Sequence, residues 1–122
     1  MSKKYGGKDG SIVNLSSGAA KYGSSGEYVD YAASKAAIDT LTIELARKVA
    51  EEGIRVNAVR PGFIDTEIHK SGGEPDRMER VRPLVPMKRV GQAEEVADAI
   101  MWLLSDKASY TTGTILDVSG GR

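Results

Sequence analysis

Three short strand-like stretches, kept apart by helical periodicity, most constrain what this chain can fold into. They are Ile12–Leu15, Ile54–Val59 and Thr114–Val118. Ile12–Leu15 reads as a short strand buried on both faces, as in a parallel sheet, and the other two read as the second and last strands. From about Glu27 or Tyr31 to Glu52 the pattern is helical. Ala33, Ala36, Ala37, Thr40, Leu41, Ile43, Leu45, Val49 and Ala50 form the expected inner positions, and Glu44, Arg47, Lys48, Glu51 and Glu52 the outer ones. Gly53 stands where a helix C-cap favours glycine. A second helix is expected over Ala93–Ser105, with Val96, Ala97, Ile100, Leu103 and Leu104 on one face, and Trp102 as a packing residue. Glu94 and Glu95 lie in its first turn, where the helix dipole favours them. The order β-α-β-(long connection)-α-β predicts parallel strands joined by right-handed crossovers in an α/β layered fold. The connection, residues 63–90, carries one short helical stretch near Pro75–Val81. Its length suits a lid over a site. At 122 residues the chain is one domain or part of one.

The chemistry concentrates between the first two strands. Tyr31-Ala-Ala-Ser-Lys35 places a phenol and an ammonium four residues apart, on one helix face. An ammonium beside a phenol favours the phenolate. Such a phenol exchanges a proton with a substrate hydroxyl or carbonyl near neutral pH. Tyr28 and Tyr22 have no lysine at that spacing. Ser17, fourteen residues before Tyr31, closes the first strand and offers a hydroxyl to the same substrate oxygen. Together they describe a site for adding or removing hydride at a carbinol carbon. Pro61-Gly62-Phe63-Ile64-Asp65-Thr66 ends the second strand, at the sheet edge where α/β folds bind ligands. His69, the only histidine, lies in the expected lid; alone it is no metal site, and it reads either as a solvated loop residue or as a substrate contact.

In order, the segments SIVNLSS, YAASKAA, GIRVNAVRPGFIDT, PMKRVGQAEEVADAIMWLLSDKASYTTG and ILDVSGG resemble the short-chain dehydrogenase/reductase family, from about Ser11 to the C-terminus. The resemblance is to its bacterial glucose-dehydrogenase-like and 3-oxoacyl-carrier-protein-reductase-like members. It implies the C-terminal half of a Rossmann-like, doubly wound parallel sheet, with about three strands, two long helices and a lid segment. It further implies an NAD(P)-dependent oxidoreductase acting on a small alcohol or carbonyl substrate. In that reading Tyr31 is the acid/base, Ser17 holds the reacting oxygen, and Lys35 poises Tyr31 and binds the nicotinamide ribose. Pro61, Gly62, Ile64 and Thr66 contact the nicotinamide end. A homo-oligomer, a tetramer by family, is expected, with Asp117 and Arg122 as candidate subunit contacts. The family's catalytic asparagine has no counterpart here, since Asn14 and Asn57 lie within strands.

The glycine-rich turn that cradles a dinucleotide pyrophosphate follows a strand and opens a helix. Gly6-Gly7, Gly72-Gly73 and Gly120-Gly121 all lack that setting. The chain is therefore expected to be a partial dinucleotide-fold domain, with NADP or NAD as cofactor, a choice that belongs to the other half. The alternative expectation is a catalytically inactive fragment that self-associates or complements a missing half. Seventeen basic and seventeen acidic residues give no sign of a nucleic-acid partner, and the absence of cysteine leaves no thiolate chemistry. The longest apolar run, Ala99–Leu104, is too short to span a bilayer, so no membrane association and a cytoplasmic location are expected.

Overall fold

The computed structural model describes residues 1–22, 29–66 and 77–122. The main sheet has three parallel strands, β1 (Gly10–Leu15), β2 (Ile54–Pro61) and β5 (Ile115–Val118), in the order β1-β2-β5. The register runs from Gly10 opposite Ile54 to Leu15 opposite Val59, and from Ala58 opposite Ile115 to Pro61 opposite Val118. β3 (Ile64–Asp65) and β4 (Gly91–Gln92) form a separate parallel pair that clasps the two ends of the long connection. The helices are α1 (Ala19–Tyr22), α2 (Val29–Val49), α3 (Arg77–Val81) and α4 (Ala93–Leu104).

Side-chain alternation puts α2 and α4 on opposite faces. Val59 and Val13 pack with Val96 and Leu103 of α4, joined by Ile64, Ile100, Leu116 and Val118. Neighbouring positions point the other way: Asn14 donates to Thr42 of α2, and Arg60 to Asp39. The result is three layers. Because the strands advance in one direction, β1-β2-β5, while α2 and α4 lie on opposite faces, the two crossovers have opposite hands, and one of them departs from the expected right-handed rule.

Several expectations need correction. The central strand is buried on both faces, Val56 through Val59 being inaccessible, but β1 is only half-buried and Leu15 is 51% exposed. Among the described residues β1 pairs on one side only, and an edge strand leaves part of its surface uncovered. β1 also begins two residues earlier than its strand-like stretch, because Gly10 and Ser11 already pair with β2. α2 turns a different face inward than its apolar residues suggest. Asp39, Thr42 and Ala46 are buried, whereas Ala33, Ala37, Thr40 and Leu41 are exposed. An alanine-rich helix has little amphipathic preference, so directional polar contacts decide its orientation. α2 ends at Val49, followed by a tight turn over Ala50–Glu52, and Gly53 takes the left-handed conformation (φ +79°) that favours glycine. Trp102 is 45% exposed beside a fully buried Leu103, so it is no core residue here.

Arg89 grips Glu95 bidentately at 2.7 and 2.9 Å, and the Gln92 N–H donates to the same carboxylate at 2.8 Å. These bonds, the arginine first, lower the Glu95 pKa from 4.5 to about 2. A depressed carboxylate stabilises the fold above its unfolded pKa and loses that contribution as pH falls through the folded one. We expect Glu95→Gln to flatten the pH dependence of stability between about 4.5 and 2. Chemical denaturation at stepped pH measures this, and an unchanged acid limb would refute it.

Candidate active site

The C-terminal ends of β1 and β2 meet the first turns of α2. Beyond β1 the chain stays hydrogen-bonded to its neighbour: the Ser16 N–H donates to Val59 O at 2.8 Å, and the Gly18 N–H to Pro61 O at 2.9 Å. Ser17 is thereby held beside Pro61-Gly62. Its hydroxyl oxygen accepts the Ala19 N–H at 3.2 Å, a short side-chain cap that opens α1. Ser16 is buried, with its hydroxyl turned to the Lys35 carbonyl at 3.4 Å, so it takes a structural place.

Tyr31 lies in the first turn of α2 and is 44% exposed. Lys35 lies one turn on, its Nζ 5.7 Å from the Tyr31 ring centre, within cation–π range. The same Nζ donates to Leu15 O at 3.1 Å, which ties the helix to the end of β1. Tyr31 and Lys35 are thus brought together beside the strand end that leads into Ser17. Tyr22 and Tyr28 have side chains outside the described residues.

Pro61 and Gly62 follow from β2. The Gly62 N–H donates to Val118 O at 3.0 Å, and a Cβ on Gly62 would stand 2.9 Å from Ser119 Cα. Only glycine lets the two strand ends approach this closely. Ile64 is buried in β3, its neighbour Phe63 accepting the Gly91 N–H at 2.9 Å, while Thr66 follows β3 and is half-buried. His69 and most of the first part of the expected lid lie outside the described residues. The Arg122 guanidinium sits 4.9 Å over the Phe63 ring. Next to this segment is a cleft of about 490 Å³, walled by Phe63, Ile64, Met87, Arg89, Asp117 and Arg122 among others. Ser17 and Tyr31 are not among its walls.

One cluster escaped the sequence reading. Arg60, the residue before Pro61, donates to Asp39 at 2.8 Å and to Asp117 at 3.2 Å. Burial works against its charge, yet the two carboxylates raise its pKa above the ordinary arginine value. The signal was present: Tyr31, Lys35, Asp39, Thr42 and Ala46 recur at helical spacing along one face of α2.

A phenol, an ammonium and a serine hydroxyl gather at one solvent-accessible sheet edge. Hydroxyl and ammonium donors of this kind suit an oxygen-rich group such as a ribose. Among the described residues no glycine-rich turn of the pyrophosphate-cradling kind leads from a strand into a helix. No group of three or more metal-ligating side chains occurs among the described residues, and no described helix is long and apolar enough to cross a membrane.

Comparison with known proteins bears on the same edge. The family profile described as Enoyl-(Acyl carrier protein) reductase matches residues 1–122. An uncharacterized oxidoreductase of Escherichia coli (strain K12), YgfF, is 66% identical over 122 residues, covering 100% of this chain and 49% of that protein. The 3-oxoacyl-(acyl-carrier-protein) reductase FabG of Thermotoga maritima is 44% identical over 114 residues, covering 93% of this chain and 46% of its own length. A solved short-chain dehydrogenase/reductase from Brucella melitensis, a glucose/ribitol dehydrogenase by its description, superposes with a TM-score of 0.82 at 37% identity. It covers 91% of this chain and 44% of that one. The chain spans about half the length of the curated relatives it matches.

Proposed function

Because the chain belongs to the short-chain dehydrogenase/reductase family, we propose that the whole protein is an NAD(P)-dependent oxidoreductase with Tyr31 as its acid/base. The observation that carries this is Lys35, whose Nζ lies 5.7 Å from the Tyr31 ring while bonded to Leu15 O, two residues from Ser17. The nicotinamide, when bound, supplies or accepts a hydride at the substrate carbon.

The residues divide the remaining work. In the reductive direction Tyr31 gives its phenolic proton to the carbonyl oxygen as the carbon gains hydride; in the oxidative direction it takes the hydroxyl proton. The Ser17 oxygen already accepts the Ala19 N–H. Its own O–H is therefore left to donate to the substrate oxygen and orient it. Lys35 spends one proton on Leu15 O. An ammonium has three donors, so two remain for ribose hydroxyls. Pro61, Gly62, Ile64 and Thr66 border the nicotinamide end, with backbone groups near Ile64 for the carboxamide. His69 contacts substrate from the lid. The exposed Ala33, Ala37 and Leu41 on α2 suit close packing between subunits of a homo-oligomer, a tetramer by family. A cytoplasmic location goes with this reading.

A second reading has its own observation. β1 pairs only with β2 among the described residues, and no pyrophosphate turn occurs in the sequence. A polypeptide of these 122 residues alone is then inactive and self-associates through that edge. One assay separates the readings. The whole protein is offered reduced nicotinamide nucleotides with 3-oxoacyl thioesters and aldoses, and loss of the reduced-nicotinamide absorbance is followed. We expect turnover from the whole protein and none from the 122 residues alone. A whole protein that neither binds nor consumes either nucleotide would overturn the first reading; an active isolated piece would overturn the second.

A further inference from the structure

The geometry points to a positioning role for Arg60: with Asp39 and Asp117 it locks the helix that carries Tyr31 and Lys35 into one register over the strand ends. This rests on the roles given to Tyr31 and Lys35 above.

Asp39 lies one turn beyond Lys35 and two beyond Tyr31, on the same face of α2. Arg60 Nη2 donates to Asp39 Oδ2 at 2.8 Å, and Nη1 to Asp117 Oδ1 at 3.2 Å. Asp117 is the register partner of Arg60 on β5. The Arg60 and Asp39 side chains are only 16% and 13% exposed. Lys21, from the connection between Ser17 and Tyr31, reaches Asp117 Oδ2 at 3.9 Å. One chain of charges therefore joins α1, α2, β2 and β5 around the site.

As a source of stability this arrangement is poor. Desolvating an ion pair offsets much of its attraction, and an apolar pair of similar volume does as well or better. Here the pairing is also incomplete: Asp39 Oδ1 and Arg60 Nε are buried and have no partner among the described residues. What an apolar pair does not supply is direction. The planar guanidinium holds two carboxylates at set angles, one on the helix and one on the sheet. Direction matters on this face of α2, whose other buried groups, Thr42 and Ala46, are small. Small side chains let a helix slide or rotate, and a displacement of about 1 Å at a reacting group costs roughly 100-fold in rate.

The test uses the whole protein. Asp39→Leu with Arg60→Met replaces the pair by apolar side chains, and Arg60→Lys keeps the charge but removes the fork. Both are expected to melt close to the parent. Both should lose roughly 10- to 100-fold in kcat, with KM for the nicotinamide nucleotide changed far less. Should the double variant fail to fold, Arg60→Lys carries the test. A folded variant of either kind with parental kcat overturns the positioning role. Tyr31→Phe is run alongside. If that variant keeps turnover, the catalytic reading itself fails and Arg60 has nothing to position. If it is inactive while the Arg60 variants are fully active, the positioning role alone is wrong.

Discussion

Tyr31→Phe in the whole protein should lower turnover by roughly 100- to 10,000-fold, the range set by removing a general acid/base. Cofactor affinity should hardly change. The substitution deletes one oxygen from a side chain that is 44% exposed, so the ring stays and no buried polar group is orphaned. The Tyr31 carbonyl, which accepts the Ser34 hydroxyl at 2.8 Å, is untouched. Lys35 keeps its bond to Leu15 O and its place beside the ring. Stability should match the parent, which makes the rate loss a statement about chemistry. Steady-state rates combined with a fluorescence titration of the reduced nucleotide measure both halves. Near-parental turnover would remove Tyr31 from the mechanism.

Leu103→Ala should destabilise the fold by about 3 kcal/mol, within the range for emptying a fully buried leucine site. Leu103 has no accessible surface and packs with Val59, Ile64 and Val96 where α4 meets the sheet. Its carbonyl also accepts the Ser11 hydroxyl at 3.2 Å and Arg55 Nη1 at 2.8 Å, so the residue anchors α4 to both β1 and β2. Total stabilities run to about 5–15 kcal/mol, and the loss is a large share of that. The neighbouring Leu104 is 40% exposed, and Leu104→Ala should cost much less. Urea denaturation of the two variants, side by side, decides the matter. Equal losses would mean the face assigned to α4 is wrong.

What could be read in advance followed local rules. Ile54 through Val59 announced a strand because Pro61-Gly62 stops it, and strands are bounded by such residues. Gly53 marked the end of α2 because a left-handed C-cap selects glycine. Tyr31 and Lys35 stood out because four residues on a helix is one turn. The inward face of α2 was hidden for the opposite reason. Alanines occupy both sides of that helix, and its orientation came from Asp39, Thr42 and Lys35 finding partners on three different strand residues. Charged residues default to solvent in any pattern reading, so the partnership of Asp39 with Arg60 could be suspected from spacing but not deduced. The β3–β4 clasp was invisible because two residues carry no period. Ile64 was marked as a nicotinamide contact and not as the strand residue that seats it.

The register of the main sheet also says how this chain must find its fold. Every β1–β2 pair joins residues 44 positions apart, from Gly10 with Ile54 to Leu15 with Val59, and β2–β5 pairs such as Ala58 with Ile115 are further apart still. No sheet contact in this layer is local, which places the topology among slow-folding ones. Closing such a loop costs entropy before the first ladder bond forms. α2 shortens that search: 21 residues wound at about 1.5 Å each bridge a gap that a disordered chain would have to sample. The helix that presents Tyr31 and Lys35 is thus also the spacer that lets the first two strands meet.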